Sequence, residues 1–290
     1  MKNIGILLMA MMILMVSCSK EESLETGGSG GSGGGGGTGG GSSSGALLTK
    51  LVTTGVQTTT QDFFYDSKKQ LVKYVNVNST PGSTANITLT ITRDANGRVA
   101  KIVQDMPASA TAPASSSPTT FVYQGPTDTK VKYSIATVDV GGGFGIIVRD
   151  SSVYEYTSNN LTKLLQYYSF DDGASYDPTG YVTFRYDSRG NIIEQISYAD
   201  LGGGLEPFQK TISEYDNKPS ACDLNDDAFA GQILSIYLSP NNITKQTIDL
   251  LVAGQKLSVT ATYQYRSDGK PSKVTGNALG GSFQSTYTYK

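Results

Sequence analysis

The stretch Val182-Thr183-Phe184-Arg185-Tyr186-Asp187-Ser188-Arg189-Gly190-Asn191-Ile192 decides the fold of this chain. Val182, Phe184 and Tyr186 alternate with Thr183 and Arg185, the period of two that marks a half-buried strand. Asp187 and Gly190 then supply a turn. The carboxylate bonds its own backbone, and glycine takes the positive φ that other residues avoid. A second strand leaves from Ile192, so the unit is a β-hairpin.

The unit recurs. Its fullest forms are Phe64-Tyr65-Asp66-Ser67-Lys68-Lys69-Gln70-Leu71 and Thr92-Arg93-Asp94-Ala95-Asn96-Gly97-Arg98-Val99. Tyr265-Arg266-Ser267-Asp268-Gly269-Lys270 is a further copy, and a shorter one runs from Tyr156 through Asn160 to Leu164. Degenerate starts stand at Tyr123-Gln124-Gly125-Pro126 and Tyr215-Asp216-Asn217-Lys218-Pro219. Successive starts lie roughly 30 residues apart, room for two strands and two connections. The expected fold over 47–290 is all-β: an antiparallel up-and-down meander of repeated hairpins forming a barrel-like or strongly curled sheet. Closing the sheet would remove exposed edges. Alternation fails between Asp223 and Leu238, and Ala228–Tyr237 reads as one short helix that plugs an end or covers an edge.

The strand-turn-strand units resemble the YD repeats of Rhs-type and related bacterial surface proteins. The whole arrangement resembles a Bacteroidetes surface lipoprotein domain of unknown function with a porin-like fold. Glu214-Tyr215-Asp216-Asn217-Lys218-Pro219 and Leu238-Ser239-Pro240-Asn241-Asn242-Ile243-Thr244-Lys245 carry that likeness. It implies a fold and an address, and no activity. A transmembrane barrel needs an apolar lipid-facing set on every strand. Glu194, Lys130 and Lys132 interrupt the strands here, so a soluble sheet fits better than a pore.

The N-terminal segment explains the address. Lys2 is followed by an uncharged apolar run from Ile4 to Val16, then Ser17 and Cys18. Spanning a bilayer needs about 20 apolar residues, and this run is shorter. A charged start, a short apolar core and a small residue at its end form a secretory signal, here 1–17. Met15-Val16-Ser17-Cys18 resembles the lipobox of bacterial lipoproteins, with Met15 in place of the usual leucine. The resemblance implies lipidation of Cys18 and membrane attachment through that lipid. Ser19-Lys20-Glu21-Glu22 resembles the acidic export signal of surface lipoproteins; a solvated linker start would read the same way. The expected location is the outer membrane, facing outward. Gly27–Gly45 is glycine and serine with one threonine, so 18–46 is a lipidated cysteine and a flexible tether. From Ser19 to Ala46 it reaches on the order of 30 Å. It is not a phosphate loop, because no Gly-Lys-Ser/Thr follows.

Composition narrows the chemistry. A net charge of -2 gives no electrostatic case for nucleic acid. With 0 histidines, Ser-His-Asp and Cys-His catalysis and histidine zinc sites are excluded. Cys222, left alone once Cys18 is lipidated, reads as structural. Asp223, Asn225 and Asp227 have the first spacings of a calcium loop, but Ala228 and Leu234 stand where Gly and Glu belong. Asp171, Asp172 and Asp177 cluster in a loop. Glu155, Glu194 and Glu214 sit in expected strands and Glu206 in a loop, with nothing local to pair them as glycosidase carboxylates. No metal and no cofactor is expected. The 18 tyrosines suit sugar stacking or cross-strand packing, and the runs Gly141–Gly143 and Gly202–Gly204 mark loops that rim a mouth or are plain tips. The expectation is a non-catalytic binding protein for an extracellular glycan or protein. A structural or envelope-assembly protein and a carboxylate hydrolase are the alternatives. A polar cavity or tyrosine patch at one end favours binding.

Overall fold

The computed structural model describes residues 45–290, apart from 56, 81–82, 109–112, 140–146, 223, 225, 233–237 and 279. The signal segment, Cys18, Ser19, Lys20, Glu21, Glu22 and the tether to residue 44 lie outside the described residues, as do Asp223 and Asn225.

Among the described residues the chain forms 16 strands. They are β1 (Leu48–Thr54), β2 (Thr58–Tyr65), β3 (Leu71–Thr80), β4 (Ser83–Arg93), β5 (Val99–Met106) and β6 (Ser115–Tyr123). Next come β7 (Val131–Asp139), β8 (Ile147–Thr157), β9 (Asn160–Ser169), β10 (Asp177–Tyr186) and β11 (Ile192–Asp200). Last are β12 (Leu205–Pro219), β13 (Asn241–Leu250), β14 (Gln255–Tyr265), β15 (Pro271–Ala278) and β16 (Gly281–Tyr289). Each pairs antiparallel with its chain neighbours, and β1 pairs with β16, so the meander closes into a barrel. Glu206 falls in β12 rather than in a loop.

An even number of alternating strands gives the barrel two distinct ends. The repeat turns at Asp66, Asp94, Asp187 and Arg266 each join an even strand to the next odd one, so they share an end with Ala46 and Lys290. There Leu47 and Lys290 exchange backbone hydrogen bonds of 3.0 Å. The turns are built alike. Asp66 Oδ1 accepts the N–H groups of Lys68 and Gln70, Asp94 those of Asn96 and Arg98, and Asp187 those of Arg189 and Asn191. The fourth residue is left-handed: Gly97 at φ 81°, Gly190 at 87°, Gly269 at 83°, and Lys69 at 63° despite its side chain.

Five tyrosines near the ends of even strands tie neighbouring hairpins together at this end. Tyr123 donates to Val99 O at 2.9 Å, Tyr186 to Leu161 O at 2.8 Å and Tyr215 to Ile192 O at 2.8 Å. Tyr263 donates to Ile243 O at 2.9 Å and Tyr289 to Pro271 O at 2.8 Å. Each bond runs from the end of an even strand to the start of the odd strand before it. The rings face inward, and those of Tyr123, Tyr263 and Tyr289 pack against the core.

The β12–β13 connection fills this end. The helix expected over Ala228–Tyr237 is a single 3-10 turn, Asp227–Phe229, with 233–237 outside the described residues. Ala228, Phe229 and Ala230 are all buried in the main core, together with Ala221, Cys222 and Leu224. Apolar residues enclosed on every side have no polar face to present, so the segment packs as a plug instead of an amphipathic helix. Asp226 caps the turn by accepting the Ala228 N–H at 3.0 Å and lies 3.6 Å from the Arg93 guanidinium on β4. The two motifs flanking the plug are bonded to each other: Asn242 Nδ2 donates to both Asp216 carboxylate oxygens, and Asn241 Nδ2 to Lys218 O at 3.0 Å.

The outer wall carries polar and charged side chains on several strands. On β14, exposed Lys256, Ser258, Thr260, Thr262 and Gln264 alternate with inward Leu257, Val259, Ala261, Tyr263 and Tyr265. Outward ion pairs join Lys50 to Asp62, Lys210 to Glu194, Lys245 to Glu214 and Lys256 to Asp249. A charge held at a bilayer midplane costs about 2–4 kcal/mol in a barrel.

Candidate functional site

The opposite end is the mouth. Its connections include 140–146 and the Gly202–Gly204 loop, where Asp200 Oδ1 accepts the Gly202 and Gly204 N–H groups in the pattern also seen at the repeat turns. Gly202 and Gly204 adopt φ of 101° and 110°, and an added Cβ there would meet nothing within 4 Å. The inner wall changes character toward this end. Near the plug it is apolar: Leu51, Phe63, Tyr74, Leu89, Ile102, Phe121 and Leu164 form one core with Phe229. Farther along the same inward registers stand Thr53, Thr59, Gln61, Asn76, Thr119, Ser134, Ser197, Gln209, Thr211 and Ser285, all buried. Half-buried Asn78, Gln104, Ser117, Ser152, Gln166, Gln195 and Gln246 continue the lining. Neutral amides and hydroxyls from most of the strands thus face the interior, while Ile248, Leu250 and Val259, with Leu257, Ala278 and Phe283, form a second apolar cluster toward the mouth ends of β13–β16.

Some of these groups bond each other. Thr53 and Ser285 hydroxyls are 2.7 Å apart, Thr59 donates to Asn78 Oδ1 at 2.7 Å, and Gln246 Nε2 donates to Ser213 Oγ at 3.2 Å. Asn76 Oδ1 and Asp150 Oδ1 are buried without a hydrogen-bond partner. Asp150 faces inward between Ala136 on β7 and Tyr168 on β9. Burial pushes its carboxyl up from 3.8 to about 6. The Tyr168 phenol is raised too, by burial and then by the nearby Asp150 charge.

The rim is apolar. Of ten large hydrophobic side chains exposed among the described residues, eight lie at the mouth: Met106, Ile147, Tyr168, Phe170, Leu201, Leu205, Leu251 and Val252. They come from five successive mouth connections, and Phe170 and Val252 are 74% and 68% exposed. Such clustering at one end distinguishes this rim from scattered surface apolar residues.

The residues singled out from sequence divide sharply. Asp171 closes the β9–β10 loop on itself, accepting from Ser169 Oγ and Ser175 Oγ at 2.6 Å each and from the Ser175 N–H at 3.0 Å. These bonds, Ser169 first, hold its carboxyl well below the usual range. Asp172 is engaged by Arg149 at 2.8 Å, and Asp177 begins β10 at the rim. Glu155, Glu194 and Glu214 all face outward, in register with Lys163, Arg185 and Lys245. Hydrogen bonds from Lys210, then Arg185, lower the Glu194 carboxyl. The structure does not bring them together across a cleft. Among the described residues no group of three or more His, Cys, Asp or Glu is placed to hold a metal. Cys222 is buried in the plug, 3.9 Å from the Tyr65 hydroxyl. Tyr133, Tyr167, Tyr181 and Tyr198 stand on the outer wall, the last two stacked at 4.2 Å.

Sequence reasoning missed the inner lining and Asp150. The signal was present as Asn and Gln at strand positions of inward parity, for example Gln61, Asn76 and Gln104.

No family model matches the chain, and no curated protein matches it. Among solved structures, a porin-like protein from Bacteroides uniformis is similar at TM-score 0.50 and 14% identity, over 84% of this chain and 96% of that one. A porin-like protein from Bacteroides vulgatus gives TM-score 0.49 and 15% identity over 84% and 99%. At that identity the first likeness supports the porin-like barrel fold alone.

Proposed function

We propose that this chain is a lipid-anchored, outward-facing outer-membrane protein whose barrel mouth binds an extracellular glycan without catalysis. The observation that carries the reading is the neutral amide and hydroxyl lining of the mouth half. Glycans present many hydroxyls and apolar C–H faces, and this wall offers hydrogen-bond partners behind a rim of apolar tips. The termini support display. Ala46, where the tether from Cys18 would arrive, lies at the plugged end, so the mouth points away from the anchor.

The outer wall argues against a membrane-spanning pore for the reasons of charge given above. A protein partner is the second reading, favoured by the eight exposed apolar tips.

The test is a glycan array and polysaccharide pull-down with the purified full-length protein. Binding is expected to fall at least about tenfold in Asn76→Leu and Gln61→Leu variants, each of which removes a neutral hydrogen-bonding group from the wall. Absence of glycan binding, with a protein captured through Phe170 and Val252 instead, refutes the glycan reading. The anchor is tested separately: Cys18→Ala releases the protein from membranes, and changing Lys20, Glu21 and Glu22 retains it in the periplasm. A Cys18→Ala protein that stays membrane-bound refutes the lipoprotein reading.

A further inference from the structure

We propose that the mouth recognises a protonated amine on its ligand through Asp150, so that the ligand class is an oligosaccharide of amino sugars; this rests on the glycan reading above. Asp150 lies on the inward register of β8, three residues from the strand's start at the rim. One carboxylate oxygen is buried with no hydrogen-bond donor, and no ion pair to Asp150 forms among the described residues. Its register neighbours are Ala136 and Tyr168, neither of them a cation.

The rest of the mouth offers no cation either. Among the described residues, none of the inward positions between the core and the rim is lysine or arginine. The charged residues that share the inward register there are Asp177 and Glu206, both carboxylates at the rim. The field inside is therefore negative, and it is concentrated on one desolvated group. A buried charge without a partner is costly. An ammonium ion that donates to it recovers part of that cost through a charge-assisted hydrogen bond.

Two alternatives fit the geometry less well. A divalent metal wants six or more oxygen ligands, commonly several carboxylates, and the mouth brings a single buried one. A purely cationic peptide leaves the neutral wall unused. Asn76 is only 7% exposed, and its carbonyl oxygen also has no donor. A ligand chain that carries hydroxyl donors along its length as well as amines offers partners both to Asp150 and to the neutral wall. Amino-sugar oligosaccharides carry both groups.

The experiment compares three probes by calorimetry at pH 6.5 with the purified full-length protein: a chitosan hexamer, its fully N-acetylated counterpart, and pentalysine. The two sugars share a backbone and differ in the charge of the amine. The chitosan hexamer is expected to bind at least about tenfold tighter than the acetylated one. Asp150→Asn is expected to erase that difference by lowering the chitosan hexamer's affinity at least about tenfold. Equal affinities for the two sugars overturn the amine proposal and leave the glycan reading standing. A preference that survives Asp150→Asn overturns it as well. Pentalysine binding alone, or no binding by any probe, overturns the proposal and removes its support from the glycan reading.

Discussion

Replacing Asp150 by asparagine is expected to make the protein more stable at neutral pH, although the change removes a charged residue from a strand. A carboxyl raised from 3.8 to about 6 is protonated more readily in the folded state than in the unfolded one. Below pH 4 it is neutral in both states and costs nothing. Between pH 4 and 6 the unfolded chain ionises first, so folding loses stability as pH rises, and above about pH 6 the loss is complete and constant. A rise of this size corresponds in full to about 3 kcal/mol. Asp150 keeps some contact with solvent, so screening brings the expected loss to about 1–2 kcal/mol. No cation offsets it: the titratable groups that feel its charge are the Tyr154 and Tyr168 phenols. Urea denaturation of both proteins at half-unit steps from pH 4 to 7.5 measures the effect directly. The difference in unfolding free energy should open across pH 4–6 in favour of Asp150→Asn and then stay flat. Parallel curves over the whole range would refute the claim that this carboxylate is buried without compensation.

Other parts of the fold give simpler expectations. Lys69→Gly relieves a left-handed φ of 63° and should raise stability by about 1 kcal/mol, whereas Gly190→Ala at 87° should lower it by a similar amount in the same assay. Tyr186→Phe removes the bond to Leu161 O and should cost about 1 kcal/mol while preserving the barrel's far-ultraviolet spectrum. Phe229→Ala empties the centre of the plug and should cost about 3–5 kcal/mol in chemical denaturation. The Cys222 thiol, buried in that plug, should react with a thiol reagent only as fast as the protein unfolds; rapid labelling under native conditions would show that the plug opens.

The hairpins were legible because each carries its own instructions. Asp187 and Gly190 specify a turn, and Phe184 and Tyr186 specify which face of the strand is inward. Closure was not legible. It depends on the β1–β16 pairing, Leu51 with Tyr287 and Thr53 with Ser285, between segments that share no local pattern. The plug was legible as a break in alternation and illegible as a shape, because Ala228-Phe229-Ala230 is compatible with a helix until the surrounding core encloses it. Asp150 was hidden for a related reason. In Arg149-Asp150-Ser151-Ser152 no apolar residue marks the inner face, so parity alone cannot say which residue points in. The outward glutamates were conspicuous in sequence because charged side chains stand out among apolar neighbours. In the structure Glu194 and Glu214 are bonded to lysines and arginines on adjacent strands.

The repeat also accounts for why function gathers at one end. A two-strand unit in an up-and-down barrel returns to the same end with every copy. Each Asp turn and each tyrosine tie is therefore placed beside the others, and the plug joins them through Ser239, whose hydroxyl meets Tyr215 at 2.9 Å and the Ile192 N–H at 3.1 Å. Sequence constraint accumulates there. The connections between units fall at the other end by the same geometry, and only the Asp200 connection repeats the carboxylate bonding to the second and fourth N–H groups among the described residues. They can differ in length and composition without disturbing the hairpins, as Phe170, Gly202–Gly204 and Leu251-Val252 do. Except on β13–β16, where Ile248, Leu250 and Val259 cluster, strand residues nearest those connections lie beyond the main apolar core, so polar groups there are not excluded by packing. A barrel of this construction separates a stable, plugged base from a mouth whose lining is open to selection for binding, and Asp150 stands on the mouth's side of that boundary.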